Sequence, residues 1–182
     1  MEQQKSACHK QICASIIGGN RGKVNLEIET IKIELAGLKS TQDLAKRIAL
    51  LAQSGDVIAL SGDLGAGKTE FARAFIRHLT DPNEEVPSPT FTLVQTYDGQ
   101  NGEIWHLDLY RINTPEEVLE LGIEEVMQDV IMVVEWPEKM GQYLPRGRLD
   151  IFLSVTKGKN HRQAELVAHG HWAERLRESG HA

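Results

Sequence analysis

Residues 62–69 combine glycine, lysine and hydroxyl side chains in a pattern that suits the binding of phosphate groups. They read GDLGAGKT, which matches the spacing G-x-x-x-x-G-K-[ST]. Glycines at these positions let the backbone curl so that successive N–H groups point inward at phosphate oxygens. Lys68 can reach the β- and γ-phosphates, and the Thr69 hydroxyl can bind Mg²⁺. The predicted ligand is therefore a nucleotide with Mg²⁺, and the alternative is a glycine-rich turn between core elements.

Two acidic residues are candidates for the second contributor that Mg²⁺ needs beside a phosphate loop. Glu135 directly follows an apolar run, and Asp108 lies inside an otherwise apolar stretch. Ligands of open α/β sheets bind beyond the carboxyl ends of the strands. Both acids are therefore predicted to act in catalysis or metal binding. The alternatives are that Glu135 caps a helix at Pro137 and that Asp108 pairs with Arg111.

Other polar and aromatic residues allow two interpretations each. The hydroxyls of Ser88, Thr90 and Thr92 lie in a proline-containing segment that either senses a γ-phosphate or forms an ordinary turn. His106 is interpreted as a core histidine, with a contact to phosphate or water as the alternative. Trp136 is interpreted as a core anchor, with a partner surface as the alternative.

A late basic group includes Lys157, Lys159, His161 and Arg162. The group is typical of a solvated turn. A cation there, Arg162 in particular, could instead stack on adenine or touch phosphate.

Hydrophobic periodicity predicts the elements that position these residues. The apolar run Val57–Ser61 indicates a buried parallel strand, and the spacing over Lys68–Leu79 indicates a helix. A capping box predicts a helix that starts at Ser40. We further expect strands over 26–35, 90–97, 103–110, 130–134, 149–155 and 164–167, a turn at 98–102, and helices that start at Thr114 and span 172–177. The alternation predicts an α/β fold with a mixed, mainly parallel central sheet flanked by helices.

The bulk properties exclude several classes of protein. The chain has 182 residues and a net charge of −6, which suits one domain and argues against a globally basic nucleic-acid-binding surface. No apolar run is long enough for a transmembrane helix, so a cytoplasmic protein without membrane contact is expected. Residues 1–24 are predicted to form a flexible tail before a domain at residues 25–182. This acid-poor start also resembles an organelle transit peptide. Its Cys8 and Cys13 match no standard zinc site.

Four motifs in this order resemble the bacterial TsaE (YjeE) family. They are the phosphate loop, VPSPTFTL at residues 86–93, HLDLYR at residues 106–111 and EWPEK at residues 135–139. The resemblance covers about residues 26–172 of the chain. It implies a small P-loop ATPase that binds ATP or ADP with Mg²⁺ and serves the synthesis of N6-threonylcarbamoyladenosine in tRNA.

The resemblance also implies partners and residue roles. The partners are the TsaB and TsaD proteins, whose complex transfers threonylcarbamoyl to adenosine 37 of tRNA, so that tRNA is reached indirectly. Hydrolysis would reset that complex between turnovers. The residues predicted to bind the nucleotide are Thr41, Asp63, Leu64, Gly65, Ala66, Gly67, Lys68, Thr69 and Arg162. Those predicted to act in catalysis are Lys68, Glu135 and Asp108, and those predicted to bind the metal are Thr69, Glu135 and Asp108.

One departure from the family lies beside the loop. Many members have a second threonine after the loop threonine, whereas Glu70 stands there in this chain. A carboxylate near the β-phosphate repels it unless it turns outward or is bridged by Mg²⁺. Two other functions remain open: a small-molecule kinase, although no arginine-bearing lid insertion is evident, and a nucleotide-responsive binding module that hardly hydrolyses.

Overall fold

The computed structural model describes residues 28–156 and 161–180. The predicted tail at residues 1–24 lies outside these ranges, as do Cys8, Cys13, Lys157 and Lys159. Within the described ranges, no helix combines the length and apolar character needed to cross a bilayer.

The described chain forms one seven-stranded sheet in the order β1-β7-β6-β2-β5-β4-β3. The four central strands, β6, β2, β5 and β4, pair in parallel, and the outer pairs are antiparallel. This confirms the predicted α/β fold with a mixed sheet that is parallel at its centre. The strands are β1 (Ile28–Leu35), β2 (Val57–Ser61), β3 (Val94–Gly99), β4 (Gly102–Asp108), β5 (Ile131–Glu135), β6 (Leu149–Val155) and β7 (Arg162–His169).

Helices cover both faces of the sheet. They are α1 (Leu38–Ala49), α2 (Lys68–Leu79), α3 (Ile123–Val126) and α4 (His171–Glu178), with 3-10 helices at Pro115–Leu121 and Pro137–Tyr143. Ile58 of β2 joins the core cluster shared with α1, α2 and α4, and its neighbour Val57 joins the opposite cluster beneath the 3-10 helices. The continuous apolar sequence of β2 follows from this burial on both faces.

Helix α1 starts earlier than its sequence predicts. The predicted start at Ser40 is wrong, because the helix begins at Leu38 and its N-cap is Gly37. Gly37 has a φ of 142°, which ends β1 sharply and lets the helix begin at once. The Thr41 amide then donates to the Gly37 carbonyl at 3.3 Å.

Strand β3 starts later than its sequence predicts. The predicted start at Thr90 is wrong, because β3 begins at Val94 and the preceding residues form a turn. Leu93 has a φ of 65°, a left-handed conformation that interrupts an extended strand. The segment before β3 is therefore free to fold over the carboxyl end of β4, where the Asp108 amide donates to the Leu93 carbonyl at 3.1 Å.

The remaining elements follow the prediction closely. Strand β2 and helix α2 have the predicted bounds, and β6 and β7 form the expected antiparallel pair. The predicted helix start at Thr114 is present, and a capping box forms there, in which the Glu117 carboxylate accepts from the Thr114 amide at 2.9 Å. The helix that follows it is a 3-10 helix.

Candidate functional site

The phosphate loop connects the carboxyl end of β2 to the first turn of α2. Its glycines Gly62, Gly65 and Gly67 all have positive φ, at 137°, 79° and 109°. A Cβ at Gly62 would overlap the carbonyl oxygen of Leu153 on the neighbouring strand, so only glycine fits there. The first amides of a helix have no acceptor within it. Those of α2 therefore face the loop as donors for an anion, favoured by the helix dipole.

A cleft of about 390 Å³ opens beside this loop. It lies beyond the carboxyl ends of β2, β4 and β5, where open α/β sheets bind their ligands. Its lining residues are Leu64, Gly65, Gly67, Lys68, Thr69, Glu70, Ser88, Thr90, Asp108, Tyr110, Glu135, Trp136 and Arg162.

Lys68 lies in a confined place at the base of the cleft. Its side chain donates to the carbonyls of Gly62 at 2.6 Å and Asp63 at 3.1 Å, and its Nζ lies 3.7 Å from the centre of the Trp136 ring. Burial lowers the pKa of Lys68, and the nearby carboxylates, Glu135 foremost, oppose that shift. A phosphate that enters the cleft would add the negative charge that favours the ammonium form.

Glu135 lies at the carboxyl end of β5, and its two oxygens contact different side chains. The Thr69 hydroxyl donates to Oε2 at 2.9 Å. The Nε2 atom of His106 lies 2.9 Å from Oε1. Glu135 and His106 are both buried, with 2% and 0% exposure. The carboxylate is therefore fixed beside the hydroxyl that sequence reasoning assigned to Mg²⁺.

Asp108 ends β4 and stands opposite Glu135 in the strand register, so both acids project from the same face of the sheet. Asp108 does not pair with Arg111 within the described residues. Its Oδ2 accepts from the hydroxyls of Thr90 at 2.6 Å and Ser88 at 3.3 Å, and its Oδ1 accepts from the Tyr110 amide. These bonds fasten the segment before β3 to the cleft.

Trp136 adopts an unusual backbone conformation directly after Glu135. Its φ of 60° and ψ of 51° are left-handed, which costs a non-glycine residue roughly 1–2 kcal/mol. The Trp136 amide donates to the Leu60 carbonyl at 3.2 Å, and its ring packs against Tyr110 with centroids 5.1 Å apart. Trp136 is neither fully core nor fully exposed: it covers Lys68 and closes one wall of the cleft.

Glu70 lines the cleft, and its side chain is paired with an arginine. Its carboxylate pairs with Arg73 one turn later on α2, and Arg73 Nε donates to the Val86 carbonyl at 3.0 Å. The repulsion that a carboxylate beside a β-phosphate would cause is therefore reduced by pairing with a guanidinium. The same arginine links α2 to the segment that carries Ser88 and Thr90.

Arg162, at the start of β7, reaches the phosphate loop from the opposite side. Its Nε donates to the Ala66 carbonyl at 2.9 Å, and the side chain lies beside Gly67. This bond uses the Nε–H of the guanidinium, and Arg162 is one of the residues that line the cleft. His161 is exposed.

The donor set fits a nucleotide-bound Mg²⁺ better than a metal caged by protein alone. Within residues 28–156 and 161–180, no group of three or more histidine, cysteine, aspartate or glutamate side chains is arranged to hold a metal ion. Mg²⁺ in nucleotide sites is bound by one or two carboxylates together with waters and substrate phosphates. The Thr69 hydroxyl with the Glu135 and Asp108 carboxylates supplies such a set of hard oxygen ligands.

The sequence predicted most of the residues that line the cleft. It also predicted that Thr41 binds the nucleotide, but Thr41 is buried on α1 and does not line the cleft. Tyr110 was missed, although its position two residues after Asp108 was a usable signal. Asp63 and Ala66 contribute carbonyls, to Lys68 and Arg162, and are not among the lining residues.

A second cleft, of about 320 Å³, lies between α1 and α2. Lys46, Arg73, Arg77 and His78 line it, and Glu70 is the lining residue that it shares with the first cleft. It contains no part of the glycine loop before α2 and neither Glu135 nor Asp108. The phosphate-loop cleft is therefore the candidate site.

Comparison with known proteins gives consistent matches. The chain matches the family model described as "Threonylcarbamoyl adenosine biosynthesis protein TsaE" over residues 35–164. A tRNA threonylcarbamoyladenosine biosynthesis protein TsaE from Rickettsia felis is 42% identical over 117 residues, which cover 64% of this chain and 68% of the relative. Its namesake from Bacillus subtilis is 34% identical over 150 residues, covering 82% and 92%. The crystal structure of Bacillus subtilis YdiB superposes with a TM-score of 0.71 at 30% identity, covering 85% of this chain and 97% of YdiB.

Proposed function

The chain belongs to the TsaE family, and from that premise we propose that it binds ATP with Mg²⁺ and hydrolyses it in support of threonylcarbamoyladenosine synthesis in tRNA. The observation that carries the proposal is the 2.9 Å hydrogen bond between the Thr69 hydroxyl and the Glu135 carboxylate, directly beside the phosphate loop. A phosphate loop alone indicates a nucleotide. A buried carboxylate held against the loop hydroxyl adds the acidic group that hydrolysis requires.

The protein groups would divide the work as follows. The amides at the start of α2 and the Lys68 ammonium bind the β- and γ-phosphates and offset the charge that develops on them. Thr69, Glu135 and Asp108 would hold Mg²⁺, which supplies charge neutralisation and orients the phosphates. Glu135 is also placed to orient the water that attacks the γ-phosphate. Trp136 shields this region from bulk water, which strengthens each of these electrostatic contacts.

We further propose that the hydrolysis serves a complex of TsaB and TsaD in the cytoplasm, with tRNA contacted through those partners. The net charge of −6 supports indirect contact, because a polyanion is poorly attracted to such a surface. Arg162 is the arginine that lines the cleft within the described residues, and it is bonded to the Ala66 carbonyl. With no arginine finger in place, turnover by the chain alone should be slow and partners should raise it.

The direct test is the substitution Glu135→Gln, which keeps the shape of the side chain and removes its charge. We expect phosphate release from MgATP to fall about 100-fold or more, because a positioned carboxylate contributes at least that factor. ADP binding measured in EDTA should be retained. The matched control is Glu124→Gln, since Glu124 is exposed and lies on α3 away from the cleft.

Each other outcome points to a different function. Unchanged phosphate release by Glu135→Gln would contradict the catalytic assignment. Nucleotide binding without measurable release by the unmodified chain would favour a nucleotide-responsive binding module. Transfer of the γ-phosphate to a small molecule, with no free phosphate, would favour a kinase.

A further inference from the structure

His106 is a buried titratable residue that has no role in the proposed mechanism. It lies on β4, between β5 and the edge strand β3, two residues before Asp108, and has no solvent exposure. Its Nε2 lies 2.9 Å from Glu135 Oε1. Its Nδ1 is buried without a hydrogen-bond partner among the described residues.

The identity of the neighbour fixes which ring nitrogen bears the proton. An ionised carboxylate offers acceptors alone, so the nitrogen that faces Glu135 must be the donor. In the neutral tautomer that makes this contact, the proton is on Nε2, and the buried Nδ1 is left with its lone pair. A ring in a fully apolar place would leave both nitrogens without partners. Here Nε2 contacts the Glu135 carboxylate, and Nδ1 is buried without a hydrogen bond among the described residues. The contact with Glu135 therefore sets the orientation of the ring, although the unsatisfied Nδ1 costs free energy.

We propose that His106 is a positioning residue for Glu135, an inference that rests on the proposed function. The Nε2–H of His106 holds Oε1 of Glu135, and this leaves Oε2 turned toward the Thr69 hydroxyl, together with which it would hold Mg²⁺. Without that donor, the carboxylate would lose the contact that fixes its rotation. Partners that orient metal-binding carboxylates from behind commonly affect metal affinity or activity by about 10- to 100-fold.

The strand register explains why this residue can act on Glu135. His106 stands opposite Val133 on β5, and Asp108 stands opposite Glu135. Residues two apart on a strand share a face. His106, Asp108 and Glu135 therefore project together, with the imidazole beneath the two acids and deeper in the core. From this position His106 reaches Glu135 and is not among the residues that line the cleft.

The test compares affinity for β,γ-imido-ATP with Mg²⁺ and with EDTA, measured by titration calorimetry. The ratio of the two affinities reports how well the protein presents its metal ligands and does not depend on hydrolysis. For His106→Leu we expect the ratio to fall about tenfold, with the affinity in EDTA unchanged. His106→Gln places an amide donor near the Nε2 position and should restore most of the ratio. Ile104→Ala, two residues earlier on the same buried face, is the control for loss of core packing alone.

Three results would overturn the proposal. They are an unchanged ratio in His106→Leu, an equal loss in His106→Gln and His106→Leu, and a wild-type ratio of one. If His106→Leu does not fold, His106→Gln is compared with His106→Asn, whose shorter amide cannot reach Glu135. The glutamine variant should then keep the ratio and the asparagine variant should lose it. A wild-type chain that binds the Mg²⁺ complex tightly but never releases phosphate from ATP would contradict the proposed function and leave the His106 ratio measurable.

Discussion

Glu135 shows how a single residue acquires its role from the groups around it. Both of its oxygens are engaged, one by the Thr69 hydroxyl and one by His106, and its neighbour Trp136 covers Lys68. Each oxygen of the buried carboxylate therefore has a hydrogen-bonding partner among the described residues. Such a carboxylate is costly to bury unless it is paired, which is why its partners matter as much as the residue itself.

Tyr97 gives a residue-scale prediction about pH. Burial raises the pKa of its hydroxyl, Glu84 adds to the shift and Arg73 opposes it. The folded state thus favours the neutral phenol. Its contribution to stability is fully present below the ordinary tyrosine pKa of about 10 and is lost as the pH rises through the higher folded value. The Tyr97 hydroxyl has no hydrogen-bond partner within the described residues.

We therefore expect Tyr97→Phe to be at least as stable as the wild type at pH 7. Removal of an unsatisfied buried hydroxyl costs little, and can add about 1 kcal/mol. In urea unfolding above pH 10, the variant should lose less stability with rising pH than the wild type. Tyr143→Phe is a control on the other face of the sheet, in a 3-10 helix. Parallel alkaline curves for Tyr97→Phe and the wild type would contradict the argument.

At the scale of elements, the segment of residues 86–93 is the part of the site whose conformation differs most from the predicted one. Its sequence suggests that β3 begins at Thr90, whereas the residue lies in a turn and bonds Asp108 at 2.6 Å. Hydrogen bonds hold the segment at two points. Arg73 donates to the Val86 carbonyl, and the Ser88 and Thr90 hydroxyls donate to Asp108. It therefore joins α2 to β4 across the cleft and is a candidate for an element that responds to the γ-phosphate.

Thr90→Val tests that link. Valine has nearly the same shape but removes the hydroxyl that donates to Asp108, and a hydrogen bond to a charged group contributes about 1.5–3 kcal/mol. We expect faster amide hydrogen exchange over residues 87–93 and a loss of phosphate release of about tenfold. Thr92→Val is the matched control, because within the described residues the Thr92 hydroxyl accepts from Gln95 alone, at 3.4 Å. Equal exchange rates in the two variants would show that the Asp108 contact does not hold the segment.

The fold follows from the sequence where local signals dominate, and the site follows in part. Continuous apolar runs predicted β2 and β5, and the glycine loop predicted the start of α2 at Lys68. The start of α1 and the start of β3 were wrong, because a glycine at residue 37 and a left-handed Leu93 override propensity. His106 looked like a core residue, since its contact with Glu135 joins positions 29 residues apart and depends on the strand register.

At the scale of the whole molecule, the chemistry lies at one edge of the sheet. The phosphate loop follows the carboxyl end of β2, Asp108 and Glu135 end the neighbouring parallel strands β4 and β5, and the first turn of α2 lies at the same place. The sheet thus supplies a rigid support, while the segment 86–93 and Arg162 close the cleft from either side. Tyr110, at 51% exposure, lines this cleft, and Phe91, at 86%, lies in the segment 86–93.

The central claim is that the chain hydrolyses MgATP and that its partners accelerate the reaction. The most direct measurement is the steady-state rate of phosphate release from MgATP by the chain alone and with purified TsaB and TsaD. We expect a slow rate alone and a clearly higher rate with both partners, because Arg162 is the arginine that lines the described cleft and its Nε–H is already bonded to the Ala66 carbonyl. Equal rates with and without the partners, or no release in either case, would contradict it.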